Sequence, residues 1–149
     1  MNEIVIQVPI GQDQMNTYPE AGEIPIPIKN LSQIPTASCK TIRLANAMDY
    51  VPLSQRDDVL KLALEKLRYG GKIIISGIDI YGISQALVSG YINNQSINSS
   101  IYGGKLSSSS MHEVISLIQK YSNLEVNNAK LENQNTCYSV VARRKPLEQ

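Results

Sequence analysis

Three ionisable side chains in this sequence stand where open α/β proteins place their chemistry. Asp79 follows the run Lys72-Ile73-Ile74-Ile75-Ser76-Gly77-Ile78, so its carboxylate falls at the carboxyl end of a strand, the edge at which such sheets bind ligands. Asp49 follows a shorter apolar run at 41–45 and either faces a substrate crevice or caps the turn it enters. His112 is the single histidine of the chain. At neutral pH its imidazole is suited to general-base work, and the other reading is an exposed side chain in the first turn of a helix that starts after Ser110. Cys39 and Cys137 lie far apart with no second cysteine or histidine cluster beside either. That spacing predicts free thiols in a reducing compartment and no metal site.

The elements that position these residues radiate from the stretch 60–79. Leu60, Leu64 and Leu67 recur at helical spacing, with Ser54 as the cap and Asp57 at the third helical position. Gly70-Gly71 reads as the left-handed stop of that helix. The apolar run 72–78 then reads as a central strand buried on both faces, which belongs to a mostly parallel sheet with helices on both faces. Upstream, 3–10 is a first strand closed by Gly11, and Ile24-Pro-Ile-Pro-Ile28 is an edge segment, because proline has no N–H to give a ladder. Downstream, a weaker helix covers 80–92, and a polar loop covers 93–110, where Tyr102-Gly103-Gly104 is either a lid or the closing turn. The capping box Ser110-Met111-His112-Glu113 opens the next helix, with Val114, Leu117, Ile118 and Tyr121 on its apolar face. Strands at 124–131 and 137–143 close the chain as an antiparallel hairpin around the turn 132–135.

Composition bounds the function. A chain of 149 residues with 42% apolar content fits a single domain with one core. The net charge is +1, and Arg143-Arg144-Lys145 is short enough to be a solvated strand end. Neither nucleic acid nor an anionic membrane is an expected partner. The chain has no Phe and no Trp, so base stacking on Phe-rich platforms is absent. No apolar run reaches 18 residues and Met1-Asn2-Glu3 is not a basic leader, so a soluble, cytoplasmic protein is expected.

The segment from Ile28 through Val51 and the Leu67-Arg-Tyr-Gly-Gly-Lys72 strand resembles the class I S-adenosylmethionine-dependent methyltransferases of the small type 11-like group. In that family an extended segment leads into a strand ending like Ser-His-Val-Leu-Glu-Tyr, then a helix, then Leu-Lys-Pro-Gly-Gly and a strand ending near Pro-Asp. Here Asn46 stands at the His, Met48 and Asp49 at the Leu-Glu, Tyr50 at the Tyr, Tyr69 at the Pro and Ile78-Asp79 at the Pro-Asp. Ile101-Tyr-Gly-Gly104 with His112 downstream is similar to a run some members carry. The resemblance spans about residues 24–145. It implies a Rossmann-like methyltransferase fold with S-adenosylmethionine held near Gly11, Leu31, Asn46 and Asp49. An acceptor, a small molecule or a glycan, would then lie near Asp79 and His112.

The amino-terminal half departs from the family pattern. A cofactor turn needs close glycines so that backbone N–H groups can approach the ligand, and Val8-Pro9-Ile10-Gly11-Gln12-Asp13 has one. No full helix follows, and of the acids expected to reach the ribose hydroxyls only Glu20 and Glu23 are placed nearby. Two expectations result. One is a methyltransferase-like protein with an abbreviated amino-terminal half and a degenerate cofactor site. The other is a non-catalytic interaction module on the same fold, for example a phage-encoded assembly or virion-associated protein, with a protein partner or a second copy of itself docking on its edge strands.

Overall fold

The computed structural model describes residues 3–7, 19–102, 105 and 107–147. Six strands form one sheet: β1 (Glu3–Gln7), β2 (Ile24–Pro27), β3 (Cys39–Ala45), β4 (Leu67–Ile78), β5 (Glu125–Glu132) and β6 (Cys137–Arg143). Their spatial order is β2-β1-β3-β4-β6-β5. The first four run parallel, while β6 is antiparallel to β4 and β5 is antiparallel to β6. The chain leaves β1 for β2 on one side and returns for β3 on the other. That reversal makes the carboxyl ends of β1 and β3 the topological switch point, where open α/β sheets form their ligand crevice.

Among the described residues four α-helices accompany the sheet: α1 (Arg56–Lys66), α2 (Ile80–Val88), α3 (Asn94–Tyr102) and α4 (Met111–Tyr121). The core lies where α1 and α4 cover β3, β4 and β6. Ile42, Leu44, Ile73, Ile75, Val140 and Ala142 are fully buried there, against Leu60 and Leu64 of α1 and Val114 and Ile118 of α4. Each of the Val, Leu and Ile side chains among them contributes roughly 1.5 to 3 kcal/mol on burial. Along β4 the alternate residues Ile74 and Ser76 are half-buried, so the strand read as buried on both faces is closed on one and partly open on the other.

The capping box expected before α4 is present in half: the Ser110 hydroxyl accepts from the Glu113 N–H at 3.2 Å, while the Glu113 carboxylate pairs with Arg56 at 2.8 Å instead of reaching back. The hairpin turn is also as expected, with Asn133, Gln134 and Asn135 all at positive φ. β2, whose prolines marked it as an edge, is the outermost strand.

Three expectations are corrected. Gly70-Gly71 does not end a helix. α1 stops at Lys66, and both glycines sit inside β4, in a bulge where β3 advances from Cys39 to Thr41 while β4 advances from Leu67 to Lys72. Gly70 has φ +78°, and a Cβ on Gly71 would meet the carbonyl oxygens of Arg68 and Lys40 at 2.9 Å. Ser54 does not cap α1 either; it lies in a 3-10 turn, Leu53–Gln55, that runs directly into the helix without a side-chain cap. The stretch 93–110 is not all loop, because α3 occupies Asn94–Tyr102, with Asn93 Oδ1 accepting from the Ser96 N–H at 2.8 Å. No helix among the described residues is long and apolar enough to cross a membrane.

Candidate functional site

The carboxyl ends of β3 and β4 carry most of the chemistry. β3 ends at Ala45, and Asn46 turns the chain with φ 59° while its N–H still donates to Ser76 O at 2.9 Å. The single turn that follows, Ala47–Tyr50, swings Asp49 under the sheet edge, where the residue is 1% exposed. Asp49 Oδ2 accepts from the Ile78 N–H at 3.2 Å. Gly77 permits this approach, since a Cβ there would stand 2.9 Å from Tyr138 Oη and 3.1 Å from Asp49 Oδ1. Burial, followed by the neighbouring Asp49 carboxylate, raises the Tyr138 phenol above its ordinary pKa, against a hydrogen bond from Ser109 at 3.2 Å that acts the other way. The segment ending at Ser110 crosses this edge. The Ser107 N–H donates to Asp49 O at 3.1 Å, and the Ile80 N–H donates to Ser109 O at 2.8 Å.

Asp79 is buried at the end of β4, and both of its oxygens are used. Oδ2 caps α2 by accepting from the Gly82 N–H at 2.8 Å, and Oδ1 accepts from the Met111 N–H at the start of α4 at 2.7 Å. One carboxylate therefore ties two helix N-termini to the strand, an arrangement that also suits the helix dipoles. His112 is exposed in the first turn of α4. Asp79 and His112 nevertheless line the same cavity, of about 760 Å³, together with Tyr81, Gln85, Glu113 and Asn135.

The residues expected around the cofactor are dispersed. Asn46 stands at the carboxyl end of β3, beside the switch point, and Asp49 lies beneath the same edge. Leu31 belongs to the 3-10 turn Ile28–Gln33 after β2 and is buried in the main core. Gly11, Gly103 and Gly104 lie outside the described residues. Glu23 precedes β2, at the strand's amino end, and is held by Arg43 through Nε–Oε2 at 3.0 Å and Nη2–Oε1 at 2.8 Å. That pairing lowers the Glu23 pKa below the ordinary carboxylate range. Cys39 and Cys137 are free thiols, and no cluster of three or more His, Cys, Asp or Glu side chains among the described residues can hold a metal ion.

No family model and no curated protein matches this sequence. Solved structures do match. A methyltransferase from Methanosarcina mazei that depends on S-adenosylmethionine superposes with a TM-score of 0.61 at 9% identity, over 98% of this chain and 94% of that one. One from Archaeoglobus fulgidus gives 0.58 at 10% identity, covering 96% and 86%. This chain has a class I methyltransferase fold. The Burkholderia thailandensis 1,6-didemethyltoxoflavin N1-methyltransferase, solved with 1,6-didemethyltoxoflavin and S-adenosylhomocysteine bound, gives 0.55 at 10% identity over 83% of this chain, which spans 50% of that enzyme's length. The methyltransferase fold sets the order of the strands and the edge that matters. Identities this low carry no residue roles across, so the site rests on this chain's own geometry.

The sequence did not single out Tyr81, Gln85, Tyr91 or Asn135, which line the cavities around α2. Only the Asn-Gln-Asn run at 133–135 carried a local signal, since residues at positive φ favour Asn.

Proposed function

We propose that this chain is a small, single-domain member of the class I S-adenosylmethionine-dependent methyltransferases whose cofactor site is degenerate, and that it works as a non-catalytic binding module. One observation carries the reading: the position of Glu23. Cofactor ribose is recognised by an acid at the carboxyl end of the second strand. Glu23 is at the amino end of β2 and committed to Arg43, while the segment after β2, Ile28–Gln33, has no acidic residue. The lack of an acid at that strand end among the described residues supports a site degenerate toward the ribose of S-adenosylmethionine. The Leu31 side chain is spent in the core and the Asp49 carboxylate is buried under the sheet edge, which supports the same reading.

A second reading is favoured by the cavity that Asp79 and His112 share, whose volume lies within the range of small-molecule sites. On that reading the protein is an active methyltransferase for a small-molecule acceptor bound beside His112, and positioning does most of the catalytic work. Titration calorimetry with S-adenosylhomocysteine separates the two. The degenerate site gives no saturable heat at millimolar ligand. Stoichiometric saturation would overturn it in favour of the enzyme.

A further inference from the structure

The surface beside α2 carries a second feature, apart from the switch point. A cavity of about 740 Å³ lies between α2 and the β5–β6 turn, lined by Tyr81, Gln85 and Val88 on the helix, Tyr91 just beyond it, and Gln134 and Asn135 on the turn. It adjoins the Asp79 cavity, with Tyr81, Gly82, Gln85 and Asn135 lining both. Gly82 makes the junction, because a Cβ there would overlap the Asn135 carbonyl oxygen; only a glycine lets the helix seat against the turn. Both walls are fixed, one by the Asp79 cap of α2 and the other by the turn's three consecutive residues at positive φ.

The chemistry of the lining is specific. Every described residue that lines this cavity is uncharged. In the adjoining one the Asp79 oxygens are both taken by backbone N–H groups and Glu113 is paired with Arg56. Between α2 and the turn, therefore, the described residues offer a charged ligand no counter-charge, and the ionisable groups Asp79, His112 and Glu113 belong to the adjoining cavity. The polar groups are amides and hydroxyls, each able to donate and accept at once, so a purely apolar ligand would leave them without partners. Yet the patch is aromatic as well. Of the eight large apolar side chains exposed among the described residues, Tyr81, Val88 and Tyr91 border this depression, with Tyr81 67% and Tyr91 74% exposed, and Leu131 borders the adjoining one. Surface aromatic patches rimmed by neutral polar groups mark binding sites.

We propose that the groove between α2 and the β5–β6 turn binds a neutral oligosaccharide. Sugar hydroxyls are donors and acceptors in equal measure and meet the Gln85, Gln134 and Asn135 amides on both counts. The C–H faces of the sugar rings pack on Tyr81 and Tyr91. This inference does not depend on the cofactor reading, because binding needs no S-adenosylmethionine.

The labelled full-length protein, applied without cofactor to an array of neutral, sialylated and sulfated glycans, tests it. Neutral glycans are retained and acidic ones are not preferred. Tyr81→Ala and Tyr91→Ala, both at exposed positions, each weaken retention roughly ten-fold, and Tyr81→Phe keeps it while circular dichroism stays unchanged. Failure to retain any neutral glycan, preference for acidic glycans, or retention that survives both alanine variants overturns the proposal. A concentration-dependent dimer in sedimentation that Tyr91→Ala abolishes would give the surface to a second copy of the chain and also overturn it.

Discussion

Arg43 grips Glu23 with two nearly parallel hydrogen bonds, 2.8 and 3.0 Å long, and joins the middle of β3 to the amino end of β2 across the intervening β1. The two side chains are 15% and 8% exposed, so the pair is partly withdrawn from solvent. Removing either partner takes from the other its two short charge-assisted hydrogen bonds.

The pair therefore makes stability depend on acid. The Glu23 pKa is lowered, chiefly by the hydrogen bond from Arg43. Its contribution is complete above the unfolded carboxyl value, near 4.5, and is lost as pH falls through the lowered folded value. Glu23→Gln should cost about 2 kcal/mol at neutral pH and progressively less in strong acid. Urea unfolding of both proteins across that range measures the difference.

Gly71 is a position in β4 where neighbouring backbone leaves no room for a side chain. Its would-be Cβ meets three carbonyl oxygens, those of Arg68, Lys40 and Cys39, at 2.9 to 3.0 Å. Gly71→Ala is expected to lose about 1 to 3 kcal/mol by overpacking, whereas Gly70→Ala, with open space but φ +78°, loses about 1 kcal/mol from strain. Denaturant midpoints of the two variants check the order.

Asp79 is expected to behave as a structural tie. Asp79→Ala removes acceptors from two helix N-termini and should cost about 2 to 4 kcal/mol, with faster amide exchange at Gly82 and Met111. His112→Ala, at an exposed position, should stay within about 0.5 kcal/mol of the parent. Hydrogen exchange together with chemical unfolding reads both effects, and an Asp79→Ala protein of parental stability would refute the tie.

The two thiols should separate in time. Cys39 is fully buried in the core, and burial raises its pKa, which suppresses the reactive thiolate. Cys137 is half-buried beside the hairpin turn. A disulfide reagent should label Cys137 first under native conditions and reach Cys39 only as the protein unfolds, so peptide mapping after a short exposure should find a single labelled site.

These features differ in how far local sequence announces them. The apolar face of α4, its Ser110 cap and the turn around Asn133 are encoded within a few residues, and periodicity and turn chemistry reveal them. Gly70-Gly71 misleads because a helix stop and a strand bulge make the same demand for positive φ. What distinguishes them is the approach of the Lys40 carbonyl, contributed by a neighbouring strand. α3 escapes notice because Asn94–Tyr102 is polar on nearly every side and shows no clear apolar stripe. At the site, Asn46 and Asp79 follow from being strand ends. The burial of Leu31 and the pairing of Glu23 with Arg43 depend on contacts that no spacing encodes, and the meeting of α2 with the distant hairpin turn is of the same kind.

The alternating prolines of β2 have a consequence for assembly. Successive residues of a strand point their amides to opposite sides, so the bonds to β1 must use Ile24 and Ile26, and the outward side falls to Pro25 and Pro27, which have no hydrogen to offer. That flank offers an incoming chain carbonyl acceptors but no donors. A partner that lengthens the sheet by a full ladder finds both only at the opposite margin, along β5, where Lys130 and Glu132 would screen its approach.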